Sequence, residues 1–269
     1  MALQTNGIVV KNENIKSLYF LLEIYCPPIA AQIKPGQFIM LKVSDNHSPI
    51  LRRPFSVYKS YPPNHLEKKN RGCFIILYKK VGKGTQKMSE FKIGQKVDLI
   101  GSLGSGFTLP TPSSSKIVLI GGGVGIVSLY PLAEALGSKN LIVFIGGKTR
   151  NDILCVEDFK RLNAKAYIAT EDGSLGYKGT VIDLFRFWKR KFKSDLPCFL
   201  YSCGPVEMLK ELARTIESKR FYCEVSLEAR MACGFGACWG CVVKTNDPET
   251  PYKRVCKDGP VFNLSLIHI

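Results

Sequence analysis

The chain has 269 residues, of which 45% are hydrophobic and 22% charged, so it is long enough for two compact domains and able to bury a core. Its net charge of +16 is spread, mostly as lysine, over several short segments without a helix-turn-helix or RNA-binding signature, which favours a solvated surface over a nucleic-acid site. Because no basic segment followed by an apolar run opens the chain, and no apolar run is long enough to cross a bilayer, we expect a cytoplasmic protein that binds neither nucleic acid nor membrane.

Residues 1–110 have the pattern of an all-β domain. Short runs rich in β-branched and aromatic residues alternate with turn residues such as KPG, YPPN and NRG. Strands are predicted in NGIVVKNE, KSLYFLLEIY, QFIMLKVS, FSVYKS, CFIILYKKVG and QKVDLIG, and a single helix in GTQKMSEF. Several strands at this spacing predict a small antiparallel β-barrel.

Two segments of this barrel carry groups suited to a phosphate-bearing ligand. In LRRPFSVYK, Arg53 offers a planar fork to a phosphate, Ser56 a hydroxyl and Phe55 an aromatic wall. In LYKKVGKGTQ, Gly84 and Thr85 lie where a strand joins a short helix, whose first N–H groups suit an anion. Taken singly, each segment is explained equally well without a ligand, the first as an arginine on an edge strand and the second as an ordinary turn.

The pattern changes at residues 108–115, TLPTPSSS, which read as a linker. Beyond it, apolar strands alternate with amphipathic helices. The strands are predicted in KIVLIG, NLIVFIGG, KAYIAT and PCFLYSC, and a helix follows each of them. This alternation predicts a doubly wound parallel sheet over residues 111–222.

Two strand-to-helix turns of this sheet are candidate nucleotide sites. In LIGGGVGIVSL, glycines including Gly122 and Gly125 let the backbone approach a ligand, and the helix that follows directs free N–H groups at a phosphate. The spacing differs from G-x-G-x-x-G, but a place after the first strand of a doubly wound sheet favours a nucleotide. In YSCGPVEMLK, Cys203 ends a strand and Gly204 begins the turn; alone, this segment is an ordinary connection.

The C-terminal region, residues 223–269, carries four closely spaced cysteines. Cys233, Cys238 and Cys241 follow C-x4-C-x2-C, and fourteen residues separate Cys241 from Cys256. This is the plant-type spacing of a [2Fe–2S] cluster, and the small residues between the ligands leave backbone N–H groups free to point at the sulfurs. Structural zinc is the alternative, but its ligands usually come as two C-x2–4-C pairs, whereas here the fourth cysteine stands alone.

Taken together, RPFS, GKGT, GGGVG, CGP and MACGFGACWGC with CKDGPVF resemble the ferredoxin–NADP reductase superfamily, and specifically the electron-transfer subunits of type B dihydroorotate dehydrogenase. The resemblance covers residues 5–262. It implies FAD in the barrel, NADH in the doubly wound domain and a [2Fe–2S] cluster at the C-terminal cysteines. It also implies a partner, an FMN-containing dihydroorotate dehydrogenase catalytic subunit, in a heterotetramer of two copies of each chain.

The resemblance further implies a role for individual residues, with none acting as a catalytic acid or base. Contacts with FAD and its phosphates fall on Arg53, Pro54, Phe55, Ser56, Leu77, Tyr78, Lys79, Gly84 and Thr85. Contacts with NADH fall on Gly122, Gly123, Val124, Gly125, Cys203 and Gly204, with Cys203 near the nicotinamide–flavin contact. The cluster ligands are Cys233, Cys238, Cys241 and Cys256. Glu171 and Asp172 would repel a 2′-phosphate, which favours NADH over NADPH.

Two other functions stay open from the sequence. One is the flavin–iron–sulfur subunit of a ferredoxin:NAD(P) transhydrogenase or sulfhydrogenase, with the same cofactors and another partner. The other is a zinc-stabilised binding module without enzymatic activity. Separately, the last six residues, LSLIHI at 264–269, are what the transposon end used in sequencing-library preparation encodes, so we expect them to be non-native.

Overall fold

The first part of the chain is an antiparallel sheet of seven strands. The computed structural model describes residues 2–44, 48–66, 70–110, 116–137, 141–191, 198–216 and 221–269. The elements of this part are β1 (Leu3–Lys16), β2 (Tyr19–Tyr25), α1 (Pro27–Gln32), β3 (Phe38–Leu41), β4 (Arg53–Ser56), β5 (Lys59–Tyr61), β6 (Cys73–Lys79), α2 (Lys83–Ser89) and β7 (Lys96–Leu103). The strands pair in the order β4-β3-β7-β1-β2-β6-β5.

The connection between β4 and β5 explains why this sheet curls into a barrel. These two strands are the opposite edges of the sheet, yet only Val57 and Tyr58 separate them in the chain. Three peptide units span at most about 10 Å, so the two edges must lie close together. The predicted antiparallel barrel is confirmed. The segment FSVYKS, expected as one strand, is divided between β4 and β5, and α1 was not predicted.

The second part of the chain is a mostly parallel sheet flanked by helices. Its elements are β8 (Lys116–Gly122), α3 (Ile126–Leu136), β9 (Leu141–Gly147), α4 (Val156–Arg161), β10 (Lys165–Thr170), β11 (Tyr177–Lys178), α5 (Val181–Lys191), β12 (Cys198–Cys203), α6 (Val206–Thr215) and β13 (Phe221–Ser226). Later in the chain, β14 (Val242–Lys244) and β15 (Tyr252–Arg254) form a hairpin, and β16 (Val261–Asn263) returns to the sheet. The strand order is β11-β10-β9-β8-β12-β13-β16. The predicted doubly wound sheet is confirmed.

This strand order creates a switch point between β8 and β12. The chain moves from β8 outward through β9 to β10, then crosses back to add β12 on the other side of β8. The loops that leave the carboxyl ends of β8 and β12 therefore run in opposite directions and open a crevice between them. Ligands of open parallel sheets bind in such crevices.

The cysteine-containing region is joined to the parallel sheet by β13 and β16. The predicted boundary between residues 222 and 223 falls inside β13, which pairs in parallel with β12 along its whole length. β16 then pairs antiparallel with β13, so the chain returns to the same sheet after the cysteines. Of the predicted linker 108–115, residues 108–110 are described and residues 111–115 lie outside the described part of the chain.

Among the described residues, three apolar clusters hold the fold together, and one of them joins all three regions. That cluster contains Met40 of the barrel, Phe144 of the parallel sheet, and both Cys241 and Cys256. The cysteine region is therefore packed into the body of the protein rather than appended to it. None of the helices in the described ranges is long and apolar enough to cross a membrane.

The last six residues also pack against this body. Leu264 and Ile267 are buried, and the His268 N–H donates to the Lys244 carbonyl at 3.0 Å. The backbone N–H of Asn246 donates to the Leu266 carbonyl at 2.9 Å. The non-native origin of residues 264–269 stays a prediction, which resequencing from an independent, untagmented library would test.

Candidate functional site

Two cavities meet at the boundary between the barrel and the parallel sheet. The first, which we call the nucleotide cleft after the ligand that the sequence predicts there, has a volume of about 610 Å³ and lies at the switch point, where Gly122–Gly125 and Gly204 line it. The second, which we call the flavin cavity after the cofactor that the resemblance implies there, has a volume of about 420 Å³ and lies between the barrel and the same glycine turn. Four residues line both cavities, namely Lys79, Val124, Gly125 and Glu228. The two cavities therefore share a wall.

The glycines at this wall let two strand ends approach closely. A Cβ atom on Gly125 would lie 2.4 Å from the Cys203 carbonyl oxygen, and one on Gly204 would lie 2.6 Å from Cε of Met208. A side chain at Gly125 would push the end of β12 away from the start of α3, whereas one at Gly204 would displace the Met208 side chain and crowd the Gly122 backbone nitrogen at 3.0 Å. Gly123, two residues before Gly125, has a φ of +55°, a left-handed conformation that glycine adopts without strain. The glycine turn is thus built for close backbone packing beside the cleft.

The charge of the nucleotide cleft is mainly negative. Five of its lining residues carry carboxylates, namely Asp152, Glu171, Glu207, Glu211 and Glu228, whereas two, Lys79 and Lys148, carry ammonium groups. The Glu228 carboxyl is surrounded by the cleft walls while still open to solvent, and this desolvation raises its pKa. This negative charge opposes the binding of phosphate groups. Phosphates are accommodated best close to the glycine turn and the two lysines.

Most residues predicted to contact flavin line the flavin cavity. They are Pro54, Phe55 and Ser56 on β4, Leu77, Tyr78 and Lys79 on β6, and Thr85 on α2. The other two, Arg53 and Gly84, do not line it but contact each other, because Nε of Arg53 lies 3.1 Å from where a Cβ of Gly84 would be. The Thr85 hydroxyl accepts a hydrogen bond from the Val81 N–H at 2.9 Å and so closes the turn.

Cys203 lies where the two cavities join. It lines the flavin cavity, while the next residue, Gly204, lines the nucleotide cleft. Burial raises the pKa of the Cys203 thiol to about 12, and the side chains of Ser128 and Ser226 offset only part of this effect. The thiol is therefore neutral at pH 7, and the position fits the predicted place near a nicotinamide–flavin contact.

The four C-terminal cysteines form two pairs. In the cysteine segment, residues 231–256, the side chains of Cys233 and Cys238 contact each other, as do those of Cys241 and Cys256. The hairpin of β14 and β15 causes the second pairing, because Cys241 immediately precedes β14 and Cys256 follows β15 by two residues. The Cys256 N–H also points at the Cys241 sulfur, at 3.4 Å.

The backbone of the cysteine segment stabilises negative charge on sulfur. Burial alone would raise the pKa of the Cys233 thiol, but backbone N–H groups of the loop hold it at about 6. These N–H groups belong to Phe235, Ala237 and Cys238. Of the three, only Ala237 is one of the small residues that separate the cysteines in sequence.

The arrangement of the thiols fits a two-iron cluster. Such a cluster needs two thiolates for each iron, which the pairing of Cys233 with Cys238 and of Cys241 with Cys256 provides. Within the described residues, no three His, Cys, Asp or Glu side chains form a group that could hold one metal ion. The donor set and its pairing therefore favour [2Fe–2S] over zinc.

The cysteine segment lies directly beside the flavin cavity. Met231 lines that cavity, and Cys233 follows two residues later, so their Cα atoms are at most about 7 Å apart. Gly234 packs on the barrel, where a Cβ atom would lie 2.4 Å from Cγ of Met40 on β3. The short connection brings the first cysteine pair next to the wall of the cavity.

Sequence reasoning missed three residues of this site. Glu228 follows the end of β13 by two residues. Functional groups of parallel sheets lie at the carboxyl ends of the strands, so Glu228 could have been predicted if β13 had been assigned to the sheet. Tyr19 and Asp152 both line the nucleotide cleft and share a hydrogen bond of 2.7 Å. No local signal connects these two, because 133 positions separate them in the chain.

Known proteins with the same features identify the family. The family model for the iron–sulfur cluster binding domain of dihydroorotate dehydrogenase B matches residues 228–268. The dihydroorotate dehydrogenase B (NAD(+)) electron transfer subunit of Geobacillus sp. (strain WCH70) is 38% identical over 270 residues, which cover 99% of each chain. This chain belongs to the family of dihydroorotate dehydrogenase B electron transfer subunits. The Bacillus caldolyticus member is 40% identical over 237 residues, 87% of this chain and 86% of that one.

The fold of this electron transfer subunit also has a close match among solved structures. An NADH-dependent reduced ferredoxin-NADP oxidoreductase superimposes with a TM-score of 0.81 at 28% identity, covering 97% of this chain and 89% of that chain. The family predicted from the motifs is confirmed, and the chain is an oxidoreductase subunit. Family and fold together support FAD, a [2Fe–2S] cluster and NAD(H) as its cofactors.

Proposed function

We propose that this electron transfer subunit takes electrons from NADH and delivers them, with FAD and a [2Fe–2S] cluster as carriers, to the FMN of a dihydroorotate dehydrogenase catalytic subunit. One observation carries the proposal. The flavin cavity adjoins the nucleotide cleft at Lys79 and Glu228, and it adjoins the cysteine segment at Met231. The three sites therefore form a continuous series with the flavin cavity in the middle.

In this proposal the chain's own residues place NADH in the cleft. Gly122–Gly125 form the floor under the phosphates, since their backbone can approach a ligand closely. Gly204 extends this floor from the neighbouring strand, and Cys203 lies beside the nicotinamide. The Glu171 carboxylate lines the cleft and disfavours the 2′-phosphate of NADPH.

The barrel residues hold FAD. Arg53, with Gly84 and Thr85, is assigned to its phosphates, and the walls of the cavity are assigned to its ring system. The wall residues are Pro54, Phe55, Ser56, Leu77, Tyr78 and Lys79. FAD, when bound, supplies a carrier that accepts two electrons together and releases them singly. The protein contributes binding, orientation and exclusion of water.

The cysteine segment holds the cluster. Cys233 and Cys238 are assigned to one iron, and Cys241 and Cys256 to the other, which follows the pairing of their side chains. The N–H groups that point at the Cys233 sulfur stabilise the negative charge of a bound cluster in the same way.

The partner is proposed to be an FMN-containing catalytic subunit, in a heterotetramer with two copies of each chain. Both large cavities are assigned to FAD and NADH, so the interconversion of dihydroorotate and orotate falls to that separate chain. A cytoplasmic location is part of the proposal. It is supported by the ten cysteines, none of which forms a disulfide bond, as is usual in a reducing compartment.

Coexpression with a candidate catalytic subunit tests this proposal. We expect a complex whose mass matches two copies of each chain and which couples NADH oxidation to orotate reduction, while neither chain alone does so. A complex that contains FAD, FMN and iron but shows no NADH-linked orotate turnover would contradict the proposal.

A second candidate function follows from the structural match with an NADH-dependent reduced ferredoxin-NADP oxidoreductase. Its identity to this chain, 28%, is lower than the 38% of the Geobacillus electron transfer subunit. Assays with reduced ferredoxin and NADP⁺ separate the two functions. We expect no transhydrogenation, and a rate equal to that with orotate would favour the second candidate.

A further inference from the structure

Two carboxylates of the parallel-sheet domain fasten it to the barrel. The first, Asp152, lies between β9 and α4, and its Oδ1 atom accepts hydrogen bonds from the Tyr19 hydroxyl at 2.7 Å and the Lys79 ammonium at 2.8 Å. Its Oδ2 atom lies 3.3 Å from the Thr149 backbone nitrogen, so the turn itself orients the carboxylate. We call Asp152, Tyr19 and Lys79 the Asp152 group.

The second carboxylate, Asp158, lies in α4 and has the same kinds of partner. It accepts hydrogen bonds from the Tyr58 hydroxyl at 2.5 Å and the Lys59 ammonium at 2.6 Å. We call Asp158, Tyr58 and Lys59 the Asp158 group. Each group thus joins one aspartate of the parallel-sheet domain to one phenol and one ammonium of the barrel.

The two groups differ in their relation to the cavities. All three side chains of the Asp152 group line the nucleotide cleft, and Lys79 lines the flavin cavity as well. Among the residues that line these two cavities, none belongs to the Asp158 group. The aspartate side chains are similarly buried, with exposed fractions of 15% for Asp152 and 19% for Asp158. The two groups therefore make similar contacts between the domains, but of the two it is the Asp152 group that borders the proposed cofactor sites.

We propose that Asp152 is a positioning residue for hydride transfer from NADH. By holding Lys79 on β6, it fixes the distance between the nucleotide cleft and the flavin cavity at the wall that they share. This inference rests on the proposed function, since it requires NADH in the cleft and FAD in the cavity. In the step, NADH gives up a hydride and becomes NAD⁺, and the hydride with one solvent proton converts FAD to FADH₂.

Hydride transfer is sensitive to this distance. Donor and acceptor atoms must approach to about 3–3.5 Å, and a displacement of about 1 Å lowers a rate roughly a hundredfold. With an amide in place of its carboxylate, residue 152 loses the ion pair with Lys79, while the Lys16 ammonium still donates to the Arg150 carbonyl at 2.6 Å and the Ile153 carbonyl at 3.3 Å. The wall is then free to widen.

The test compares Asp152→Asn with the matched control Asp158→Asn in the holoprotein. We expect both variants to lower the midpoint of thermal unfolding by similar amounts and to keep their FAD. In anaerobic stopped-flow mixing with saturating NADH, Asp152→Asn should reduce its flavin roughly tenfold to a hundredfold more slowly than the wild type. Asp158→Asn should stay within about twofold of the wild type, because a purely structural contact does not change the distance at the wall.

Tyr19→Phe provides a second, milder variant that keeps the inference testable if Asp152→Asn loses FAD. Removing one hydrogen bond from the Asp152 carboxylate should slow flavin reduction roughly threefold to tenfold. The inference is overturned if Tyr19→Phe and Asp152→Asn match the wild type, or if Asp158→Asn is slowed as much as Asp152→Asn. Reduction by dithionite should be the same in all variants. A wild type that dithionite reduces and NADH does not would overturn the proposed function itself.

Discussion

At the scale of single residues, the four cysteines differ in exposure. Cys238 is exposed, Cys233 is half-buried, and Cys241 and Cys256 are buried. Replacing Cys238 therefore removes a proposed cluster ligand with little disturbance of the core.

We predict that Cys238→Ser keeps the transfer of electrons from NADH to an artificial dye largely intact, while delivery to the catalytic subunit stops. The reason is that the dye takes electrons from the flavin, whereas delivery needs the cluster. Ala237→Ser is the control, because it changes an exposed neighbour and leaves all four thiols. Equal loss of both activities in Cys238→Ser would contradict the assignment.

Glu171 and Asp172 were both expected to select NADH, and the structure separates them. Glu171 lines the nucleotide cleft, whereas Asp172 does not and accepts hydrogen bonds from Ser174 at 2.9 and 2.7 Å. We predict that Glu171→Gln raises the ratio of kcat/KM for NADPH to that for NADH roughly tenfold, because a repulsive charge is removed. Asp172→Asn should leave the ratio unchanged. Steady-state kinetics with both nucleotides measure this ratio. A raised ratio in Asp172→Asn with an unchanged ratio in Glu171→Gln would show that Asp172 makes the selection instead.

At the scale of elements, the junction of β8, α3 and β12 depends on glycine. We predict that Gly125→Ala lowers the free energy of unfolding by about 1–3 kcal/mol, because its new methyl group would lie 2.4 Å from the Cys203 carbonyl oxygen. Gly82→Ala is the control, since a Cβ atom there meets nothing within 4 Å. Urea denaturation measures both, and equal stability of the two variants would contradict the packing described for this junction.

Sequence patterns predicted the elements better than their place in the fold. The alternation of apolar strands and amphipathic helices is a local signal, so the barrel strands and the β/α units were found. The short helix α1 was missed because its apolar residues continue those of β2 without a polar break. The predicted boundary at residue 222 falls inside β13, because the pairing of β13 with β12 is not visible in local sequence.

The same distinction holds for the candidate site. Cysteine spacing and glycine turns are compact motifs, so the cluster ligands and the glycine turn at Gly122–Gly125 could be predicted. The pairing of Cys241 with Cys256 requires the β14–β15 hairpin, and the contact of Tyr19 with Asp152 requires the two domains to dock. Neither can be read from spacing alone.

At the scale of the whole molecule, domain docking should depend on pH. Burial alone would raise the pKa values of Asp152 and Asp158, but their hydrogen-bonded lysine and tyrosine partners outweigh it and lower both. A carboxylate whose pKa is lower in the folded state than in the unfolded state stabilises the folded protein at pH values above its unfolded pKa, which is 3.8 for both aspartates. This stabilisation is lost as the pH falls through the pKa of the folded state.

We therefore predict that the contribution of Asp152 and Asp158 to the free energy of unfolding is constant from pH 7 to about pH 5 and is lost below about pH 4. The double variant Asp152→Asn/Asp158→Asn should lose less stability over the same range, because it lacks two of the groups that must be protonated. Urea denaturation at a series of pH values measures this, and an identical pH dependence of the two proteins would contradict the contribution assigned to the aspartates.

We propose that electrons pass from the nucleotide cleft through the flavin cavity to the cysteine segment. The most direct test adds NADH to anaerobically purified protein and records its visible and electron paramagnetic resonance spectra. We predict bleaching of flavin absorbance together with the signal of a reduced [2Fe–2S] cluster, in protein that contains two irons and two acid-labile sulfides per chain. Protein that binds FAD and is bleached by NADH, yet contains zinc or no iron and gives no cluster signal, would contradict it.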